Sequence, residues 1–270
     1  MIFAFSFAPN SLISGFNIIM SKIALITGAT AGIGEACARL FAQQNYDLII
    51  TGRRTERLDA LAQELVNEYG IRVNTLTMDV RNKEEVEKLE TLSDDWKKVD
   101  VLINNAGLSL GMDPMNAGST TDWEVMIDTN IKGLLYVTKV VSNWMIKHRC
   151  GHIINLGSIA GKETYLNGNV YCATKHAVDS LNKAMRIDLL PHKIKVTGVH
   201  PGAVDTEFSE VRFHGDQERA KKVYQGYEPL HAHDIAETIW FAVSRPAHVN
   251  INDMIVMPTA QASTSHHLKE

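Results

Sequence analysis

The chain has 270 residues, 45% hydrophobic and 21% charged, a balance expected of one globular domain with a sizeable core. Its formal charge is −4 and it carries no basic block, which argues against nucleic acid or an anionic membrane as a partner. Cys37, Cys150 and Cys172 form no Cys-x-x-Cys pair; they argue against a disulfide framework and fit a reducing compartment.

Met1 to Met20 is apolar but interrupted by Pro9, Asn10, Ser11, Ser14, Gly15 and Asn17, too broken for a membrane helix. No Lys or Arg precedes Lys22, so a signal peptide would lack its positive start. The preferred reading is a start placed upstream of the real one, with residues 1–21 outside the fold and Met20 just before the first strand.

Lys22-Ile-Ala-Leu-Ile-Thr27 is a buried-strand signal. It runs into Gly28-Ala29-Thr30-Ala31-Gly32-Ile33-Gly34 and then into a helical pattern from Glu35. Strand, glycine turn and helix is the context of a phosphate-binding loop: the glycines allow close backbone approach, and the helix start offers free N–H groups to a pyrophosphate. Tyr46 to Thr51 is a second strand, ending in Gly52-Arg53-Arg54. An acid at this strand end would hold the adenosine ribose of NAD, whereas arginine suits the 2′-phosphate of NADP. Two guanidiniums and no acid point to NADP over NAD; the plainer alternative is two solvated arginines at a helix start.

A helix over Thr55–Tyr69 is predicted from Leu58, Leu61, Leu65 and Val66 on one face. A third strand over Ile71–Thr77 precedes Asp79-Val80, a charged helix over Asn82 to about Asp94, and a fourth strand over Val99–Ile103 that ends in Asn104-Asn105-Ala106-Gly107. Successive strand–helix units predict an α/β fold, a single-domain doubly wound parallel sheet with helices on both faces. Ligands bind such sheets at the carboxyl ends of the strands, where Gly28, Arg53, Asp79 and Asn105 all fall.

A long helical region follows, roughly Thr121 to His148, and Asn130 with Gly133 inside it hints at a local irregularity. His152–Leu156 reads as a strand end before Ser158. Tyr171 and Lys175 lie one turn apart on the next helix, which runs to about Leu190. A phenol is a poor base at neutral pH, but a neighbouring ammonium stabilises the phenolate and makes the pair a plausible acid/base, with the Ser158 hydroxyl on the same substrate oxygen. A sixth strand over Ile194–Val199 ends in His200-Pro201-Gly202-Ala203-Val204-Asp205-Thr206. Residues 207–230 lack clean periodicity and are expected as a loop or short helices over the site. A helix over about Ala232–Ser244 and a strand over Met254–Met257 close the domain, and His231-x-His233 reads as a surface pair at a helix start rather than a metal site.

Together, Thr27-Gly-Ala-Thr-Ala-Gly-Ile-Gly34, Asp79-Val80, Asn104-Asn-Ala-Gly107, Asn130, Ser158, Tyr171-x3-Lys175 and Pro201-Gly202 resemble the short-chain dehydrogenase/reductase family over about residues 22–260. Thr51-Gly-Arg-Arg-Thr-Glu-Arg-Leu58, Thr206-Glu-Phe-Ser209, Val211-Arg-Phe213 and Pro246-Ala-His-Val-Asn-Ile-Asn252 resemble its NADP-dependent 3-hydroxy acid dehydrogenases, which include L-allo-threonine and serine dehydrogenases. Gly202-Ala-Val-Asp-Thr206 departs from that subgroup's pattern. The resemblance implies a Rossmann-type domain over 22–260 with a C-terminal tail at 261–270, and a cytoplasmic homotetramer acting on a small molecule. It implies that Gly28, Ala29, Thr30, Ala31, Gly32 and Ile33 line the pyrophosphate and ribose, and that Arg53 and Arg54 take the 2′-phosphate. Asp79 and Val80 would meet the adenine, Asn105 and Gly107 line the groove, and Pro201, Gly202, Val204 and Thr206 cover the nicotinamide. Asn130, Ser158, Tyr171 and Lys175 would form a catalytic tetrad, with Lys175 lowering the Tyr171 pKa and Asn130 holding a relay water. A hydroxy acid needs a cation for its carboxylate; Arg212 is the first candidate and Lys162 the second, although a surface or interface arginine reads Arg212 equally well. A carbonyl or 3-ketoacyl reductase is the rival enzyme, and a non-catalytic NADP-sensing protein the rival from another class.

Overall fold

The computed structural model describes residues 21–270, so the expectation for the first twenty residues lies outside them. The strands are β1 (Ile23–Thr27), β2 (Asp47–Gly52), β3 (Val73–Thr77), β4 (Val99–Asn104), β5 (His152–Leu156), β6 (Lys195–Pro201), the two-residue β7 (Val204–Asp205) and β8 (Leu230–His231), and β9 (Asp253–Val256). Seven of them form one all-parallel sheet in the order β3-β2-β1-β4-β5-β6-β9. The order reverses between β1 and β4, which opens a crevice at the carboxyl ends of those strands. β7 and β8 make a separate parallel pair that no periodicity in the sequence announces.

The helices are α1 (Gly32–Gln43), α2 (Thr55–Tyr69), α3 (Lys83–Glu87), α4 (Thr120–Ile127), α5 (Leu134–His148), α6 (Asn169–Asp188), α7 (Phe208–Arg212), α8 (Gln217–Lys222) and α9 (Ala232–Val243). β1 is buried along its whole length, so both of its faces are apolar. Ala24 and Ile26 pack with α1, α2 and α9, while Ile23 and Leu25 pack on the other face with α5 and α6. Phe41, Tyr46 and Trp240 meet edge to face at centroid distances of 5.2, 5.4 and 5.8 Å and fasten α9 to α1.

Two expectations change. The charged helix expected to run to about Asp94 is only five residues of α-helix, capped by the Asn82 side chain, and then tightens into a 3₁₀ turn over Lys88–Thr91 that buries Leu89. The long helix is interrupted where Asn130 and Gly133 hinted: residues Asp128–Gly133 form a π turn between α4 and α5. A Cβ on Gly133 would overlap the Val80 side chain, so the turn rests directly against a strand-end loop. Residues 207–230 contain two short helices, as expected of a segment over the site. The stretch set apart as a C-terminal tail folds back: Gln261 Oε1 accepts from Ala203 N at 2.8 Å, and Glu270 N donates to Gly226 O at 2.9 Å. Among the described residues, no helix is long and apolar enough to cross a membrane.

His152 opens β5 fully enclosed, with Nε2 2.7 Å from Thr197 Oγ1 and no partner for Nδ1 among the described residues. Burial pulls its pKa down from 6.5 to about 3. The unfolded chain therefore takes up a proton that the folded chain refuses, and stability falls as pH drops from about 6.5 towards 3. The slope from this one group approaches about 1.4 kcal/mol per pH unit. Urea midpoints measured at pH 7, 6 and 5 should fall accordingly, and His152→Gln should flatten the trend; equal slopes in both proteins would refute it.

Candidate active site

A cavity of ≈ 620 Å³ lies at the carboxyl ends of the strands and extends from Arg53 and Asp79 at one end to Tyr171 and Arg212 at the other. Its floor is the turn after β1. Gly28 sits at φ +68°, a left-handed conformation natural to glycine, with room for a Cβ only 3.1 Å from Asn105 Nδ2. A Cβ on Gly34 would run into the Gly28 carbonyl oxygen. Asn105 Nδ2 donates to Thr27 O at 2.8 Å and to Gly28 O at 3.1 Å, which ties this turn to the end of β4. The α1 N-cap, Ala31, supplies no side-chain hydrogen bond, so the N–H groups of the first turn keep no side-chain partner where they face the cavity. A narrow glycine turn with uncapped donors fits a pyrophosphate.

The other sequence-derived cofactor residues divide. Gly28, Thr30, Ala31, Gly32, Ile33, Arg53, Arg54, Asp79, Val80, Asn105, Gly107, Pro201, Gly202, Val204 and Thr206 line the cavity. Ala29 does not: it is buried in the core beneath the turn, with its N–H bonded to Thr51 O at 3.0 Å. Arg53 enters no hydrogen bond or ion pair among the described residues, whereas Arg54 is engaged on two sides: Nε and Nη2 donate to Thr30 Oγ1 at 3.1 and 2.9 Å, and Nη1 donates to Glu207 at 2.8 Å. Arg57 donates to the other Glu207 oxygen at 2.6 Å. Burial alone would raise the Glu207 carboxyl, but hydrogen bonds from Arg57 and Arg54 hold it below the usual range. Asp79 is likewise held low by Arg81 against the effect of burial.

At the other end, Ser158 caps the 3₁₀ turn Ile159–Gly161, its Oγ accepting from Ala160 N at 3.1 Å. Tyr171 and Lys175 are both buried on α6 and both line the cavity. Burial raises the Tyr171 phenol above its ordinary range; the Arg212 guanidinium and the Ser158 hydroxyl act the other way. Lys175 Nζ donates to Leu156 O at 2.9 Å, lies 6.0 Å from the Tyr171 ring centroid and is brought down to about 8 by burial. Against burial, the Arg212 guanidinium and the Ser158 hydroxyl act on the phenol here, while the Lys175 ammonium is bonded to Leu156 O. Asn130 lies behind the cavity wall: Oδ1 accepts from Leu108 N at 2.9 Å, and Nδ2 donates to Leu108 O at 2.8 Å and to Thr174 Oγ1 at 3.0 Å. The π turn aims it inward, so the loop after β4 and α6 are joined next to Lys175.

Arg212 lies in an aromatic shell, its guanidinium carbon 4.9 Å from the Phe208 ring centroid, 5.3 Å from that of Tyr171 and 5.9 Å from that of Tyr165. Nη2 donates to Tyr165 Oη at 3.1 Å, and the buried Nε has no partner. No carboxylate pairs with it among the described residues, so this end of the cavity offers a partly buried cation to an anion. Lys162 is excluded from that role: its ammonium turns away to Asp179 at 2.6 Å and Asp253 at 3.6 Å. Asp179, His200 and Asp253 form a cluster whose potential ligand atoms lie within 4.8 Å of one another. The Lys162 ammonium reaches both carboxylates of that cluster and supplies their counter-charge. His231 caps α9 together with Asp234, and His233 pairs with Glu237 at 3.4 Å. Sequence reasoning missed Tyr165, Phe208, Tyr224, Gln261, His267 and Lys269, which also line the cavity; the last three carry no local signal at all.

A parallel sheet with a pyrophosphate-sized glycine turn, and a buried Tyr–Lys pair at the far end of one cavity, defines a dinucleotide-dependent enzyme of the Rossmann type. Residues 22–217 match the short chain dehydrogenase family. NADP-dependent 3-hydroxy acid dehydrogenase YdfG of Escherichia coli (strain K12) is 48% identical over 242 residues, covering 89% of this chain and 96% of that protein. Sulfoacetaldehyde reductase 2 of Chromohalobacter salexigens is 45% identical over 245 residues, covering 90% and 96%. The closed form of serine dehydrogenase complexed with NADP+ superposes with a TM-score of 0.85 at 46% identity, covering 92% of this chain and 99% of that one. The chain belongs to the short-chain dehydrogenase/reductase family and is an oxidoreductase.

Proposed function

We propose that this protein is an NADP-dependent dehydrogenase of 3-hydroxy acids, of the L-allo-threonine, L-serine and 3-hydroxypropionate type, that works in the cytoplasm as a homotetramer. The observation that carries the substrate reading is Arg212, a partly buried guanidinium that faces Tyr171 and has no acidic partner among the described residues. The glycine turn and Arg53, which makes no ion pair among the described residues, support the cofactor reading. Exposed apolar side chains at Ile187, Phe241 and Ile255 leave faces of α6, α9 and β9 for a second copy to cover.

NADP⁺, when bound, accepts the hydride from the alcohol carbon. The chain's own residues do the rest. Arg212 holds the carboxylate through charge-assisted hydrogen bonds, with the Tyr165 hydroxyl beside it. Ser158 and Tyr171 hold the substrate hydroxyl, and Tyr171 Oη, as phenolate, takes its proton. Lys175 takes the ribose side of the nicotinamide, and Asn130 keeps the loop after β4 against α6. Positioning substrate and base in one buried site adds to the contribution of acid/base catalysis. A second reading follows from the same arginine: a guanidinium takes a sulfonate as readily as a carboxylate, and a relative at 45% identity is a sulfoacetaldehyde reductase.

Initial rates at the reduced-nicotinamide absorbance band test both readings, with L-serine, L-allo-threonine, 3-hydroxypropionate and 2-hydroxyethanesulfonate, each with NADP and with NAD. Turnover of a hydroxy acid with NADP is expected; turnover of the sulfonate alone would favour the second reading. Arg53→Ala should raise the KM for NADP about 10-fold or more and leave that for NAD nearly unchanged, as expected for loss of a charge-assisted phosphate contact. An unaltered NADP/NAD ratio would remove the 2′-phosphate from Arg53.

A further inference from the structure

The two arginines at the end of β2 are not equivalent. Arg53 makes no hydrogen bond or ion pair among the described residues, whereas Arg54 is stretched between Thr30 on the glycine turn and Glu207 at the start of α7, 153 residues away in sequence. Arg57, one helical turn further along α2, takes the second Glu207 oxygen and does not line the cavity. Next to this pair, a Cβ on Gly32 would stand 3.2 Å from Thr206, so the segment carrying Glu207 rests on the glycine turn itself. Glu207 thus joins the two walls of the cofactor half of the cavity, with both carboxylate oxygens used.

We propose that Glu207, gripped by Arg54 and Arg57, is a clasp that retains the nicotinamide dinucleotide, whichever of its two forms is bound, while discrimination of the 2′-phosphate falls to Arg53. This rests on the dinucleotide reading above. The clasp connects protein to protein and leaves the ligand's phosphate out of the pairing. Its loss should therefore weaken NADPH and NADH by similar factors. Both ion pairs are about half exposed, so the effect is modest: dissociation constants about 3- to 10-fold higher, the size expected of two exposed pairs acting together.

The test is fluorescence titration of the full chain with NADPH and with NADH, for the wild type, Glu207→Gln and Arg57→Gln. The proposal expects both variants to bind both nucleotides more weakly and by comparable factors, and expects added salt to narrow the gap to wild type. Arg57→Gln separates the clasp from direct phosphate contact, because Arg57 does not reach the cavity. Tighter NADPH binding by Glu207→Gln, with NADH unchanged, would make Glu207 a competitor of the 2′-phosphate and overturn the clasp. Unchanged constants in both variants would overturn it as well. Failure of the wild type to bind either nucleotide would instead end the dinucleotide reading itself.

Discussion

Tyr171→Phe is expected to lower kcat by about 10²–10⁴-fold, the usual share of a positioned acid/base, and to leave nicotinamide binding within a few-fold of wild type. The substitution removes one oxygen from a buried ring that packs 5.6 Å from Phe208, so the fold and the cavity shape should survive. The pH profile supplies an independent readout. Burial raises the phenol, and the working form for alcohol oxidation is the phenolate. The oxidation rate should therefore climb with pH above neutrality, and the residual rate of the variant should lose that climb. Stopped-flow or steady-state rates between pH 6 and 10, with an NADPH titration of the same preparation, check both parts. A variant that keeps most of its turnover would end the assignment of Tyr171.

Arg212→Ala carries the second large effect. A hydrogen bond to a charged group is worth about 1.5–3 kcal/mol, so kcat/KM for 3-hydroxypropionate should fall by about 10- to 100-fold. On the high-pH plateau, an uncharged alcohol should not share that loss. Arg212 also lowers the phenol across 5.3 Å, so its removal should move the pH midpoint of oxidation upward for every substrate. Arg212→Lys should recover part of the midpoint shift but little of the acid's kcat/KM, because an ammonium lacks the planar fork that matches a carboxylate. An unchanged KM for the acid would return Arg212 to an ordinary packing role.

The sheet was legible because its central strands are covered on both faces and read as unbroken apolar runs, as β1 and β2 do. The span Thr55–Tyr69 was legible because Leu58, Leu61 and Leu65 repeat at helical spacing and Gly70 ends the helix in a left-handed cap. Most of the cavity wall was legible too, since strand ends converge in any such sheet. What sequence could not give is direction. Lys162 follows Ser158 by one turn, yet its ammonium points to Asp179, because the 3₁₀ turn carries it past the site. The aromatic shell of Arg212 is assembled from Tyr165, Tyr171 and Phe208 and depends on the path of the chain between them. Residues 261–270 reach the site by long-range backbone contacts that leave no periodic trace.

The π turn at Asp128–Gly133 decides how α4 and α5 face one another. A π turn is what a continuous α-helix becomes when it absorbs one extra residue without breaking. Everything before it is rotated by roughly 100° relative to everything after it. A segment already fitted to the sheet can in this way hand its neighbour a new facing without renegotiating its own. Asn130, bonded to Leu108 and Thr174, owes its aim to that change of facing.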